Sequence, residues 1–374
     1  MSTLPKILVT SAAGKTGLPV TLQLLERGFP VRAFVREGDA RSMALEKAGA
    51  EIYIGDQYCL RDMREAMTGI RRAYQCAPTA PNGLHFNAVF TAAVVEARVE
   101  HVVTLGQWLS SADHPSFFTR EVYLSDILIR VPAGLSVTSV NPGWFADNYL
   151  MVLEMAAHLG IFAMPLGDGR IKKNAPPSNA DIASVAVAAL CDPEKHAGKA
   201  YRPTGPELSS PDDVAQAMGR ALGRKVRYVD ISEAMMTKAL RAFPPSNYSE
   251  AAVSQLAIYA EEYRRGSFAV NAPTGDVELV GGRSPESFES VVKQAVEKRP
   301  DLRTNLLRQA GGLAAFAKVL LTPSLNLKKV ETVRDHVLIK APRFCQETTD
   351  WMATHSSHSL AARPDLTSEL NVSA

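Results

Sequence analysis

The first seventeen residues restrict the fold more than any other part of the chain. A short apolar run, Ile7, Leu8 and Val9, ends in a turn of mostly small residues from Thr10 to Gly17 (TSAAGKTG). The turn opens into a helical pattern with Leu18, Leu22 and Leu25 on one face. This order predicts a buried strand, a tight turn and a packed helix. Small residues let backbone N–H groups approach an anion, and a helix N-terminus adds partial positive charge and unpaired donors. Ser11, Gly14 and Gly17 follow one another at intervals of three, one glycine short of Gly-x-x-Gly-x-x-Gly. At the start of a strand–turn–helix unit, the pattern predicts a dinucleotide pyrophosphate site lined by Thr10, Ser11, Ala13, Gly14, Lys15, Thr16 and Gly17. Two rival readings exist. A nucleoside-triphosphate loop ending Gly14-Lys15-Thr16 needs a glycine five residues before Gly14, where Val9 stands. A glycine turn that binds nothing is the other, and the residues downstream weigh against it.

The second strand pattern, Val31 to Val35, ends at Arg36, with Glu37 next and Arg41 soon after. That end lies about twenty residues past the glycines, where the sugar-contacting residue of a dinucleotide site belongs. A carboxylate there suits the ribose hydroxyls of NAD. A guanidinium suits a 2′-phosphate through charge-assisted bonds, so Arg36 and Arg41 favour NADP(H). Glu37 opposes that preference, and a solvated strand end is the plain alternative. The third strand pattern, Glu51 to Ile54, leads to Gly55 and Asp56. Asp56 and Gln57 are expected near adenine, and Ala77 and Pro78 near the nicotinamide-side ribose.

Strand signals continue at Ala73–Cys76, His101–Leu105 and Ser136–Val140, separated by amphipathic segments. This alternation predicts an α/β fold: a doubly wound parallel Rossmann sheet whose ligand lies outside the carboxyl ends of the strands. After about residue 150, helical segments and Pro- and Gly-rich connectors dominate. The expected organisation is a nucleotide-binding domain over 1–150, to which segments near 175–205 return. A smaller, mostly helical substrate domain over 151–298 and a C-terminal extension over 299–374 complete it. Helices are expected over 150–159 and over 303–320, the latter interrupted at Gly311-Gly312. The final dozen polar residues read as disordered.

A net charge of +2 supplies no global pull toward nucleic acid or membrane. Arg61, Arg64, Arg71 and Arg72 interleave with Asp62 and Glu65 and read as a solvated face. The four cysteines are scattered without a Cys-x-x-Cys pair, so neither a zinc site nor a redox dithiol is indicated. His355 and His358 lack accompanying ligands in a zinc spacing, and no metal is expected. The strand pattern beginning so soon after Met1 leaves no room for a signal peptide, and the apolar runs are short. The expected compartment is the cytoplasm.

With these residues in place, the chain resembles the NmrA-like, atypical branch of the short-chain dehydrogenase/reductase superfamily over roughly residues 4–290. The resemblance rests on Val9 to Gly17, Val31 to Arg36, Gly55-Asp56, His101 to Leu105, Asn141 to Asn148 (NPGWFADN), Asn179 to Ala186 and Tyr201 to Ser209. It implies a Rossmann core, a small C-terminal domain and an NADP(H) site. The usual superfamily chemistry pairs a tyrosine with a lysine four residues on, and with a serine at the end of a strand. No tyrosine here has lysine at that spacing, and the strand position reads Leu105-Gly106-Gln107.

Three readings of the chemistry stand. NADPH reduces a small activated acceptor (a quinone, enone or iminium) that needs little acid catalysis. Alternatively, Tyr123 acts as the acid, assisted by Arg120, against a plain reading of Tyr123 as a half-buried aromatic. Or the protein binds NADP(H) without turnover and reports redox state to a protein partner. The expected substrate wall comprises Gln107, Trp108, Phe117, Trp144, Phe145, Asn148 and Tyr149. Packing of Trp144 and Phe145 in an interdomain seam is the alternative. A homodimer is possible, the apolar stretch Leu313–Leu321 suiting either the body or a second subunit.

Overall fold

The computed structural model describes residues 4–78, 82–244, 249–333, 339 and 341–356. Its centre is a sheet of β1 (Ile7–Val9), β2 (Val31–Val35), β3 (Glu51–Ile54), β4 (Arg72–Gln75), β5 (His101–Leu105), β6 (Ser136–Val140) and β8 (Ala200–Tyr201). All neighbours are parallel, in the order β3-β2-β1-β4-β5-β6-β8. The chain builds outward from β1 to β3, then crosses back to β4 and builds the other way. The order therefore reverses between β1 and β4, and a crevice opens there at the carboxyl edge.

Both faces of the sheet are covered, so its strands read as continuous apolar runs. Side chains alternate across the pleat. Ile7 and Val9 enter one core with Val20, Leu24, Val185 and Ala186, while Leu8 enters the other with Phe34, Met63, Phe86 and Phe90. The connecting helices are α1 (Gly17–Glu26), α2 (Ala40–Lys47), α3 (Leu60–Met67), α4 (Gly83–Glu96) and α5 (Phe117–Leu128). The helix Asn179–Cys191 returns to lie beside α1, and β8 extends the sheet past β6. Burying each large aliphatic or aromatic side chain in these layers contributes roughly 1.5–3 kcal/mol.

A second core lies beyond the carboxyl edge. Trp108, Trp144, Tyr149, Phe162, Met218, Tyr263, Phe268 and Phe288 meet there with Cys345 and Trp351 from the C-terminal extension. It includes a two-stranded parallel pair, β7 (Ile161–Met164) and β9 (Arg227–Asp230), in a region whose sequence indicated helices and connectors. The helix expected over 150–159 is two pieces, Ala146–Leu150 and Leu153–Leu159.

The helix Leu306–Leu321 runs unbroken through Gly311 and Gly312. A Cβ on Gly312 would stand 3.1 Å from Leu159, so this glycine provides a close helix contact rather than a break. Of the basic cluster, Arg64 pairs with Glu96 and Arg71 with Glu100 on the surface. His358 and the last dozen residues lie outside the described residues. Among the described residues, no helix is long and apolar enough to cross a membrane.

Candidate functional site

The turn after β1 is held shut by its own backbone. Ser11 adopts the left-handed conformation (φ +49°), and its carbonyl accepts the Gly14 N–H at 2.8 Å. A Cβ on Gly14 would stand 2.9 Å from that carbonyl oxygen. One on Gly17 would stand 2.3 Å from it and 2.9 Å from the Ala12 Cα. These neighbours are backbone and cannot swing aside, so both positions require glycine.

Polar bonds fix the turn to the strands around it. The Thr10 hydroxyl accepts the Cys76 N–H at 2.8 Å and reaches the Tyr74 carbonyl at 3.1 Å, stitching β1 to the end of β4 across the crevice. Buried Gln57 accepts the Ser11 N–H at 3.1 Å, and the Ser11 hydroxyl donates to the Cys76 carbonyl at 2.9 Å. At the start of α1 the Thr16 side chain makes no capping bond, and the first turn holds no acidic residue. Its hydroxyl lies instead 3.4 Å from the Cys76 sulfur. A ten-residue helix whose first turn holds no acidic residue turns its positive dipole end to this crevice, which suits an anion.

The other residues expected on the nucleotide side ring the same edge. Arg36 follows β2 with its side chain 80% exposed and 3.2 Å from the Glu37 carboxylate. Arg41 is engaged by Asp39, which also caps α2. Asp56 accepts the Tyr58 N–H at 2.9 Å. Ala77 and Pro78 follow β4 half-buried. Lys15 reaches across to Asp147, beyond β6, at 3.0 Å.

On the substrate side, Gly106 ends β5 against Asn141. A Cβ there would lie 2.1 Å from the Asn141 Oδ1, so a serine at this position would require the Asn141 side chain to turn aside. Gln107 accepts from the Thr119 hydroxyl at 2.8 Å and donates to the Tyr259 hydroxyl at 3.3 Å. The expected aromatic wall divides in two. Trp108, Trp144 and Tyr149 are buried in the second core. The Trp108 indole donates to the Ser267 carbonyl at 2.8 Å, and burial pushes the Tyr149 hydroxyl up to about 12. Phe117, Tyr123, Phe145 and Asn148 are half-buried with Gln107 along the carboxyl edge.

Glu121 is a buried acid that the sequence did not single out. It lies on α5, buried, with its carboxylate 3.4 Å from the Leu84 N–H at the start of α4. Burial pushes its pKa up to about 7. An acid on the inward face of a helix was the available signal. Because the folded value lies above the usual 4.5, its favourable contribution is lost as pH rises through 7. Glu121→Gln is therefore expected to match the wild type in melting temperature at pH 5 and to be the more stable by about 3 kcal/mol at pH 8. Thermal melts across that range check it, and parallel curves for the two proteins would contradict the assignment.

His114, Glu262 and Cys345 form a buried cluster whose ligand atoms lie within 4.8 Å of one another. Its hydrogen bonds oppose a metal. The Ser116 N–H donates to His114 Nδ1 at 3.0 Å, which leaves the proton on Nε2, facing Glu262 at 2.9 Å. Burial raises the Glu262 pKa, but donation by His114, Ser267 and the Cys345 N–H outweighs it and the net shift is downward. The Cys345 thiol is pushed far up by burial and sits 3.3 Å from the Leu109 carbonyl.

The cluster is one part of a buckle between the extension and the loop after β5. The Arg343 N–H donates to the Asp113 carbonyl at 2.8 Å, and the Trp351 indole to the Trp108 carbonyl at 3.0 Å. Arg202, after β8, donates to the Thr354 carbonyl at 2.9 Å.

Residues 4–272 match the model of the NmrA-like family. The NAD(P)H azoreductase of Xenophilus azovorans is 30% identical over 77% of this chain and 96% of its own length. The solved NADPH-dependent quinone oxidoreductase of Escherichia coli, complexed with NADPH, superposes with a TM-score of 0.66 at 21% identity over 77% of this chain and 99% of that one. Triphenylmethane reductase of a Citrobacter species gives 0.64 at 22% identity over 78% of this chain and 99% of that one.

Proposed function

The chain belongs to the NmrA-like family, and from that membership and the site geometry we propose an NADP(H)-dependent reductase of small conjugated or aromatic acceptors. The observation that carries this reading is the turn at the β1–β4 reversal, where backbone contacts demand glycine and an uncapped helix faces outward. These features fit a dinucleotide pyrophosphate. Thr10 to Gly17 hold it, Arg36 with Arg41 takes the 2′-phosphate, Asp56 and Gln57 lie toward adenine, and Ala77 and Pro78 toward the nicotinamide ribose. When bound, the coenzyme supplies a hydride to the acceptor.

The chain's own part is orientation and exclusion of water. Gln107, fixed between Thr119 and Tyr259, presents polar atoms to the acceptor, and Phe117, Phe145 and Asn148 flank it. A conjugated acceptor delocalises the incoming charge, which makes the missing tyrosine–lysine pair tolerable. Tyr123 is the side chain on α5 proposed to hold a proton where one is needed. A small-molecule reductase accounts for the azoreductase likeness better than a non-catalytic regulator does.

The test is NADPH oxidation across a panel of azo dyes, quinones, enones and iminium or triphenylmethane dyes. Turnover with at least one class is expected. Arg36→Ala is expected to raise the Kd for NADPH about 10–100-fold and leave NADH nearly unchanged. Tight NADPH binding with no turnover on any acceptor favours the regulator. Equal losses for both coenzymes would remove Arg36 from the phosphate site.

A further inference from the structure

The helix Leu306–Leu321 lies beyond the residues that match the family, and it is oriented unlike an ordinary surface helix. Its body-facing side carries Val319, which is buried, and Gly312, which rests on Leu159 and His158. Arg308 also turns inward, donating to the Pro300 carbonyl at 3.3 Å. The opposite side holds Leu306, Leu307, Ala310, Leu313, Ala314, Ala317, Leu320 and Leu321, all exposed. At 100° per residue these span about 140° of the helix without one polar side chain. The five leucines are 47–85% exposed. Five exposed leucines side by side on one face differ from the singly scattered apolar residues of an ordinary soluble surface and mark a face made to be covered.

The spacing of that face identifies its occupant. Leu306, Ala310, Leu313, Ala317 and Leu320 alternate at steps of four and three, and Leu307, Ala314 and Leu321 repeat every seven. This is a coiled-coil seam of leucine layers separated by small alanine layers, and it fits another helix of the same period. We propose that this face is a two-fold interface with a second copy of the chain, the two helices running antiparallel about Leu313. Leu306 then meets the partner's Leu320, the layers of Ala310 and Ala317 fall between the leucine layers, and the helix dipoles oppose. Two such faces with their flanks reach roughly the 1,200–2,000 Å² of a standard interface. A lipid surface is the poorer match. Interfacial helices carry a strongly basic polar face, whereas here the side opposite the apolar one is docked on the protein.

Sedimentation of the full chain at micromolar concentration is expected to give twice the 40.5 kDa chain mass. Leu313→Glu/Leu320→Glu is expected to halve that mass and to leave a folded monomer whose thermal midpoint no longer rises with protein concentration, as the wild type's does. Under mild oxidation Leu313→Cys is expected to form a linked dimer. Leu306→Cys is expected to form none, because antiparallel copies hold it about 21 Å from its equivalent. A monomeric wild type overturns the proposal, including one that co-floats with phosphatidylserine vesicles. A double variant that remains dimeric overturns it as well, and efficient linkage through Leu306→Cys overturns the antiparallel pairing.

Discussion

Gly17→Ala is expected to abolish saturable NADPH binding while leaving a folded protein of lower stability. The added methyl has nowhere to go: it would overlap the Ser11 carbonyl oxygen at 2.3 Å and the Ala12 Cα at 2.9 Å. Relief requires the whole turn to open, because Ser11 is tied to Gln57 and Cys76 and cannot retreat alone. Overpacking of this kind costs about 3 kcal/mol. The displaced turn also moves the start of α1 away from the anion it is proposed to meet. Titration calorimetry and thermal melting measure the two consequences. Binding within tenfold of wild type would show that the turn is not the pyrophosphate seat.

Glu262→Ala is expected to destabilise the protein by about 3–5 kcal/mol and to release the C-terminal extension from the substrate side. The carboxylate accepts from His114, Ser267 and the Cys345 N–H in a dry environment, and bonds to a charged acceptor are worth about 1.5–3 kcal/mol each. Removing it leaves three buried donors without an acceptor. Urea unfolding measures the loss. Hydrogen exchange of residues 107–116 reports the release, since that loop is held by Arg343, Cys345 and Trp351. Unchanged exchange in the loop would mean that the extension only covers it. Addition of zinc is expected to shift neither measurement, because the His114 ring nitrogens are both committed.

The central sheet was legible because parallel strands buried on both faces leave uninterrupted apolar runs, as at Ile7–Val9 and His101–Leu105. The glycine turn was legible because its constraint is local. The β7–β9 pair was not. Four residues make a weak signal, and in β9 Tyr228 alone is not exposed, so no alternation shows. Gly311-Gly312 misled because a glycine that breaks a helix and one that admits a neighbouring leucine are written alike. Among the aromatics, a pocket wall and a core have the same composition. Burial separates Trp108, Trp144 and Tyr149 from Phe117 and Phe145, and burial is a tertiary property. Glu121 belongs to the same class, its altered proton affinity arising from the packing of α4 against α5.

The buckle joins Arg343 to Asp113 and Trp351 to Trp108, pairs separated by 230 and 243 positions. A chain leaving the ribosome completes β8 at Tyr201, and with it the sheet, long before these last anchors exist. Domains form as they emerge, at about 5–20 residues per second. Every newborn molecule thus passes through several seconds in which the crevice is assembled and its far wall is not. Chaperones and proteases meet this protein first in that half-finished shape, and a message cut short after residue 300 would leave it there permanently.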